Sequence, residues 1–233
     1  MHMQKINSMQ RNVLGMKYSK IVLFGPPGTG KGTQAEKISV YYDIPHISTG
    51  DIFRTLVKNN EPLGIELKEK YWGKGKLVPD DITIKLLKER IAKDDCTEGF
   101  LLDGFPRTLN QAKLLKDITS IDLVIDIYSE KDLIVKRLSS RRTCTKCGKI
   151  YGLGNMPKKE GYCSLDSAAL FQRDDDKEDV IAKRFDEYEN LTKPLIKFYK
   201  KEKLLKTVDG NGTPDEVFNL VLKILGSDIP RIK

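Results

Sequence analysis

Lys20-Ile21-Val22-Leu23-Phe24 runs directly into Gly25-Pro26-Pro27-Gly28-Thr29-Gly30-Lys31-Gly32-Thr33-Gln34, and this junction constrains the fold more than any other part of the chain. A short apolar strand that ends in a glycine-rich turn and then opens a helix is a phosphate cradle. Its backbone N–H groups converge on one anion, and the positive end of the helix adds to them. Lys31 then reaches the β- and γ-phosphates of a nucleoside triphosphate as a point charge. The usual pattern puts Ser or Thr directly after this lysine, whereas here Gly32 intervenes and Thr33 follows.

A chain of 233 residues with 39% apolar content has enough material for a full core in one domain with insertions. No apolar run approaches the roughly 18 residues of a membrane span, so a soluble, cytoplasmic protein without membrane partners is predicted. The net charge of +8 is spread over a surface that also carries 33 acidic residues. That mixture favours a solvated surface over a nucleic-acid face. Three of the four cysteines, Cys144, Cys147 and Cys163, sit in one short segment, which fits metal-type spacing in a reducing compartment better than a disulfide framework. Cys96 has no partner in sequence and is expected to be a buried free thiol. Residues 1–15 are expected to form a dispensable, disordered extension ahead of a domain at 16–226, with 227–233 as a tail.

Short β-rich runs at Ile21–Phe24, Pro45–Ser48, Phe100–Leu102, Leu123–Tyr128 and Leu204–Val208 alternate with helical patterns, which predicts an α/β fold with a parallel sheet. Polar or glycine residues follow most of these strands, and that carboxyl edge is where open α/β sheets bind ligands. Two stretches break the alternation. Residues 50–78 read as a helical excursion, and residues 143–176 hold the cysteines and few large apolar side chains. Inserted flaps that keep water from a reacting phosphate account for both.

Phe100-Leu101-Leu102-Asp103-Gly104-Phe105-Pro106-Arg107 places a carboxylate at the end of a buried strand, suited to orient Mg²⁺-bound water. Arg107 follows on a rigid Gly/Pro turn. Arg54, Arg137, Arg141, Arg173 and Arg184 lie at segment ends near the same edge. Joining a triphosphate to a monophosphate gathers about six negative charges and calls for several forked guanidinium groups, with no side-chain nucleophile. Cys144-x-x-Cys147 and Cys163-x-x-Asp166 form two knuckles able to close a structural Zn²⁺ site; a metal-free flap or a redox cysteine pair are the competing readings. His2 and His46 suggest no catalytic base.

The phosphate loop ending Gly-Lys-Gly-Thr-Gln, the Asp-Gly-Phe-Pro-Arg turn and the cysteine knuckles, in this order, resemble the adenylate kinase family in its long-lid, zinc-bearing bacterial type. The resemblance implies the P-loop nucleoside monophosphate kinase fold, a five-stranded parallel sheet with helices on both faces plus a monophosphate-binding flap at 48–78 and a lid at 140–177. It implies reversible phosphoryl transfer from MgATP to AMP giving two ADP, in a monomer. For ATP it implies Gly28, Thr29, Gly30, Lys31, Gly32, Thr33, Arg141, Ile150, Tyr151 and Gly212. For AMP it implies Thr49, Arg54, Lys76, Leu77, Val78, Gly104, Phe105, Pro106, Arg107 and Gln111, the last reading the base. Arg137, Arg173 and Arg184 resemble the clamp on the transferring phosphoryl group, Arg173 and Arg184 also bordering AMP, and Asp175 and Asp176 match the lid's acidic pair. Catalytic duty thus falls on Lys31, Asp103, Arg107, Arg137, Arg141, Arg173 and Arg184, with Mg²⁺ accompanying ATP and Zn²⁺ held by Cys144, Cys147, Cys163 and Asp166. A kinase using GTP, UMP or CMP would share most of these motifs, and Gln111 and the long lid favour AMP. A zinc-ribbon nucleic-acid binder would leave the phosphate loop unexplained.

Overall fold

The computed structural model describes residues 17–226; the expected extension at 1–15 and tail at 227–233 lie outside them. Parallel strands β1 (Lys20–Phe24), β2 (His46–Ser48), β3 (Phe100–Asp103), β4 (Leu123–Tyr128) and β8 (Leu205–Asp209) form one sheet in the order β2-β3-β1-β4-β8. Every strand end falls within one residue of its expected position. Parallel neighbours require crossovers, and helices supply them. On one face α1 (Lys31–Tyr42) and α9 (Pro214–Leu225) pack on Ile21, Leu23, Ile125 and Ile127. On the other, α4 (Asp80–Ile91), α5 (Leu109–Ile118) and α8 (Leu195–Lys201) cover Val22, Phe24, Leu102 and Val124. Burial on both faces is why these strands read as continuous apolar runs instead of alternating ones.

The two breaks in the alternation are separate substructures. Between β2 and α4, the helices α2 (Thr49–Lys58) and α3 (Pro62–Lys70) and a 3₁₀ turn at Trp72–Lys74 enclose a small core of Phe53, Leu67 and Val78. Helix α2 starts at Ser48, whose hydroxyl accepts from the Asp51 N–H (3.3 Å), a cap that a strand-ending serine can provide. After α6 (Lys131–Ser140) come β5 (Arg142–Cys144), β6 (Ile150–Tyr151) and β7 (Leu170–Phe171), an antiparallel sheet ordered β6-β5-β7. Its core is Cys144, Tyr151 and Cys163 with Ala168 and Leu170 beside them. The chain returns through α7 (Glu178–Glu187) and a π-helical turn at Tyr188–Thr192. Lys68 of α3 and Asp174 pair at 2.7 Å and join the two substructures at their roots.

Helix α9 covers the sheet with Val217, Val221, Leu222 and Leu225. A capping box fixes its start: the Thr213 hydroxyl accepts from the Glu216 N–H, and the Glu216 carboxylate accepts from the Thr213 N–H (2.8 Å). Thr213→Ala removes one half of that exchange and is expected to cost about 1 kcal/mol. The urea midpoint should fall with an unchanged slope; an unchanged midpoint would show the box to be dispensable.

Candidate active site at the carboxyl edge of the sheet

The phosphate loop is shaped by close backbone contacts. At Gly25, φ is +134° and a Cβ would lie 2.1 Å from the Ile127 carbonyl oxygen. At Gly28, φ is +85° and a Cβ would lie 2.8 Å from the side chains of Ile134 and Leu138 in α6. Glycine alone fits either place. Lys31 folds back over the loop, its Nζ donating to the carbonyls of Gly25 (2.8 Å) and Pro26 (2.7 Å). Thr29 closes the turn by donating to the Pro26 carbonyl (3.1 Å). Thr33 lies in the first turn of α1.

β3 ends at Asp103, beside Lys31 and His46. Burial alone would raise the Asp103 carboxyl; the His46 contact and the charges of Lys31 and Arg107 outweigh it and hold the group below its ordinary value. An ionised oxygen donor at this edge fits a hard cation such as Mg²⁺. His46 Nε2 lies 3.4 Å from Asp103 Oδ2. Burial disfavours the imidazolium, but Asp103, with Asp51 and Glu36 beyond it, more than offsets this and raises His46 above its ordinary value. Beyond β3, the Gly104 carbonyl accepts from Arg107 Nε (2.7 Å) and from the Thr49 hydroxyl (3.0 Å). The Phe105–Pro106 peptide is cis, and Phe105 is buried.

Five guanidinium groups crowd this edge. Arg141 is hydrogen-bonded to both carboxylate oxygens of Asp176. Arg184 donates to Asp176 Oδ1 (3.0 Å) and the Asp175 carbonyl (2.9 Å), and Arg173 to the Thr143 hydroxyl (3.0 Å). Arg107 and Arg184 are lowered from the ordinary arginine value by burial and by neighbouring guanidinium groups. Arg173 is lowered to about 10, by burial first and then by Arg54 and Arg141. Lys31 is lowered to about 8 by burial and by Arg107, Arg184 and Arg141, against the raising effect of Asp103. Among the described residues Asp51, which accepts from Arg54 Nε (3.1 Å), and Asp103, Asp175 and Asp176 stand against these six cations. The site is built for a polyanion.

Not every expected contact belongs to this group. Arg137 stands apart: its guanidinium donates to the carbonyls of Gly210 (2.8 Å) and Gly212 (3.1 Å) and reaches that of Thr29 (3.5 Å). Its lowered value comes from burial alone. The structure places it under the loop after β8. Gly212 belongs to that loop, where a Cβ would meet the Glu216 carboxylate at 2.9 Å. Tyr151 is buried, and its hydroxyl contacts Cys163 Sγ (3.3 Å) and accepts from the Ser164 N–H (2.8 Å), which ties its side chain to the cysteine cluster. Ile150 is partly exposed at the other end of β6. Lys76 is exposed, Leu77 half-buried and Val78 part of the small helical core. Gln111 is buried, with its amide bonded to the Arg107 N–H and to Asp80.

In the antiparallel module the ligand atoms of Cys144, Cys147, Cys163 and Asp166 all lie within 4.8 Å of one another. Cys147 Sγ and Cys163 Sγ are 3.6 Å apart, about the edge of a tetrahedron with 2.3 Å metal–sulfur bonds. The N–H groups of Lys146 and Cys147 point at Cys144 Sγ and that of Leu165 at Cys163 Sγ, each at 3.4 Å, which favours thiolates. These donors fit Zn²⁺. Cys96 is buried and free as expected, 3.0 Å from Arg90 Nη1.

Two residues of the site were not foreseen. His46 faces Asp103 only because β2 pairs with β3 so that Ser48 lies opposite Asp103, a register that no local pattern reveals. Asp80 reads in sequence as an acidic first-turn residue of α4, and that role conceals its contact with Gln111.

A glycine-rich cradle, an ionised strand-end carboxylate and converging arginines define a nucleotide-dependent phosphoryl-transfer site. The adenylate kinase family profile matches residues 23–204. An adenylate kinase of Clostridium perfringens (strain SM101 / Type A) is 51% identical over 215 residues, covering 90% of this chain and 99% of the relative. Adenylate kinases of Clostridium kluyveri (strain ATCC 8527) and Geobacillus sp. (strain WCH70) are 47% and 48% identical, covering 89% and 88% of this chain and 98% of each relative. The chain belongs to the adenylate kinase family. It is a phosphotransferase that takes ATP with Mg²⁺ and AMP to two ADP. No helix among the described residues is long and apolar enough to cross a membrane.

A bound polyphosphate favours the charged form of Lys31, which burial and its neighbours lower to about 8 in the free protein. Binding of MgATP near that pH is expected to take up protons. Calorimetry in buffers of differing ionisation enthalpy measures this, and no uptake, or release, contradicts it.

Proposed function

We propose that Lys31, Arg107, Arg141, Arg173 and Arg184 carry the reaction by stabilising charge as the γ-phosphoryl group passes in line from ADP to an AMP phosphate oxygen. The observation behind this reading is the crowding of these cations around a single glycine loop. The new P–O bond forms as the old one breaks. The leaving ADP oxygen is stabilised by cations, so no side chain has to become a nucleophile. Gly28 to Thr33 cradle the ATP phosphates, and Asp103 orients the water shell of the Mg²⁺ that arrives with ATP. That ion supplies charge neutralisation on the phosphates. Arg137 holds the loop around Gly212 against Thr29, where the ATP base would rest. Ile150 and Tyr151 would meet ATP through the β6 backbone.

On the acceptor side Thr49, Arg54, Lys76 to Val78, Gly104 to Arg107 and Gln111 surround AMP, with Gln111 on the base. Residues 48–78 and 140–177 close over the two substrates and keep water from the transferring group. The reading is of a cytoplasmic monomer. Lys31→Ala or Arg107→Ala is expected to lower turnover by about two orders of magnitude, roughly 3 kcal/mol, while circular dichroism and melting stay near wild type. A folded variant with near-normal turnover removes that residue from the mechanism.

The knuckle geometry supports a structural Zn²⁺ on Cys144, Cys147, Cys163 and Asp166, a closed set with no position for substrate. It would hold together a module whose own apolar core is small. Protein purified without chelators should contain one Zn²⁺ per chain by elemental analysis, released by a mercurial. Asp166→Cys should keep it and Asp166→Ala should bind it markedly more weakly. Metal-free protein with unreacted thiols would make this a hydrogen-bonded module.

A further inference from the structure

Gln111 donates through Nε2 to Asp80 Oδ1 (2.7 Å) and accepts at Oε1 from the Arg107 N–H (2.7 Å). The two partners differ in kind. A backbone N–H can only donate and an ionised carboxylate can only accept, so together they admit one orientation of an amide that could otherwise sit either way round. Turning it over would set oxygen against carboxylate and N–H against N–H in a side chain only 2% exposed. Asp80 is itself held. Its Oδ2 accepts from the Thr108 hydroxyl (3.0 Å) and Asn110 Nδ2 (2.8 Å), while the Thr108 oxygen accepts from the Gln111 N–H (3.0 Å). The next peptide is held as well, the Arg107 carbonyl accepting from the Thr192 hydroxyl (2.9 Å) in the π-helical turn.

One N–H and one oxygen lone pair of the Gln111 amide remain, in fixed order. We propose that Asp80 is a specificity-determining positioning residue that makes the acceptor site read the sense of the base edge. It selects bases with an amino group beside a ring-nitrogen acceptor over bases with a carbonyl beside a ring N–H. Adenine and cytosine present the first edge; hypoxanthine, guanine and uracil present the second. The proposal rests on Gln111 being the base reader.

IMP is the discriminating probe, because it matches AMP in size and reverses only the edge. Wild-type enzyme should favour AMP over IMP in kcat/KM by about a hundredfold, as expected for a two-bond contact. Asp80→Asn keeps the shape but can donate as well as accept, and should narrow that ratio by about tenfold. General loosening of the fold would lower both rates and leave the ratio alone. Gln111→Leu should bring the ratio close to about one. If Gln111→Leu collapses the ratio and Asp80→Asn does not, Asp80 sets nothing and the base reader stands. If Gln111→Leu leaves the ratio intact, the base reader is wrong and the proposal falls with it. Amide hydrogen exchange on ¹⁵N-labelled wild type tests the orientation without any variant. One Gln111 Nε2 proton should be protected in the free protein and in the IMP complex, and both in the AMP complex. No protected proton in the free protein would overturn the lock.

Discussion

Mutual repulsion among buried cations is the constraint around which this molecule is arranged. Lys31, Arg107 and Arg184 are drawn together without enough carboxylate to neutralise them, and each is pushed below its ordinary value, by burial first and by the neighbouring cations after it. Such a cluster survives only where the surrounding fold is rigid enough to impose it. The parallel sheet supplies that rigidity by placing the phosphate loop, Asp103 and the β8 loop at one edge with both faces packed. Asp175 and Asp176 hold Arg141 and Arg184 from the far side. A nucleotide's phosphates complete the charge balance, so binding and transition-state stabilisation draw on one electrostatic debt.

The architecture was legible because its determinants are local. A strand, a glycine turn and a helix in immediate succession fix the phosphate loop, and apolar runs at fixed intervals fix the sheet. The Asp-Gly-Phe-Pro-Arg turn places Asp103 and Arg107 by covalent connection alone. What stayed hidden depends on pairs far apart in sequence. His46 meets Asp103 through strand register, and Asp80 meets Gln111 across two helices. The carbonyl contacts of Arg137 have the same origin. A helix-borne arginine looks alike whether it faces a phosphate or a carbonyl, and here the carbonyls of Gly210 and Gly212 decide. The inward turn of Tyr151 onto Cys163 was hidden too, because a two-residue strand offers no alternation to say which side faces the module's interior.

The antiparallel module that carries the cysteines meets the rest of the molecule at a narrow root. The chain enters at Arg141–Arg142 and leaves at Gln172–Arg173, and the root is tied by Arg141 to Asp176 and by Arg173 to Thr143. Everything that holds the module's interior together lies beyond those ties. Its inside is therefore an interchangeable part: a metal, a hydrogen-bonded network or a larger apolar core could fill it, provided that the root stays stiff and the β6 backbone keeps its place.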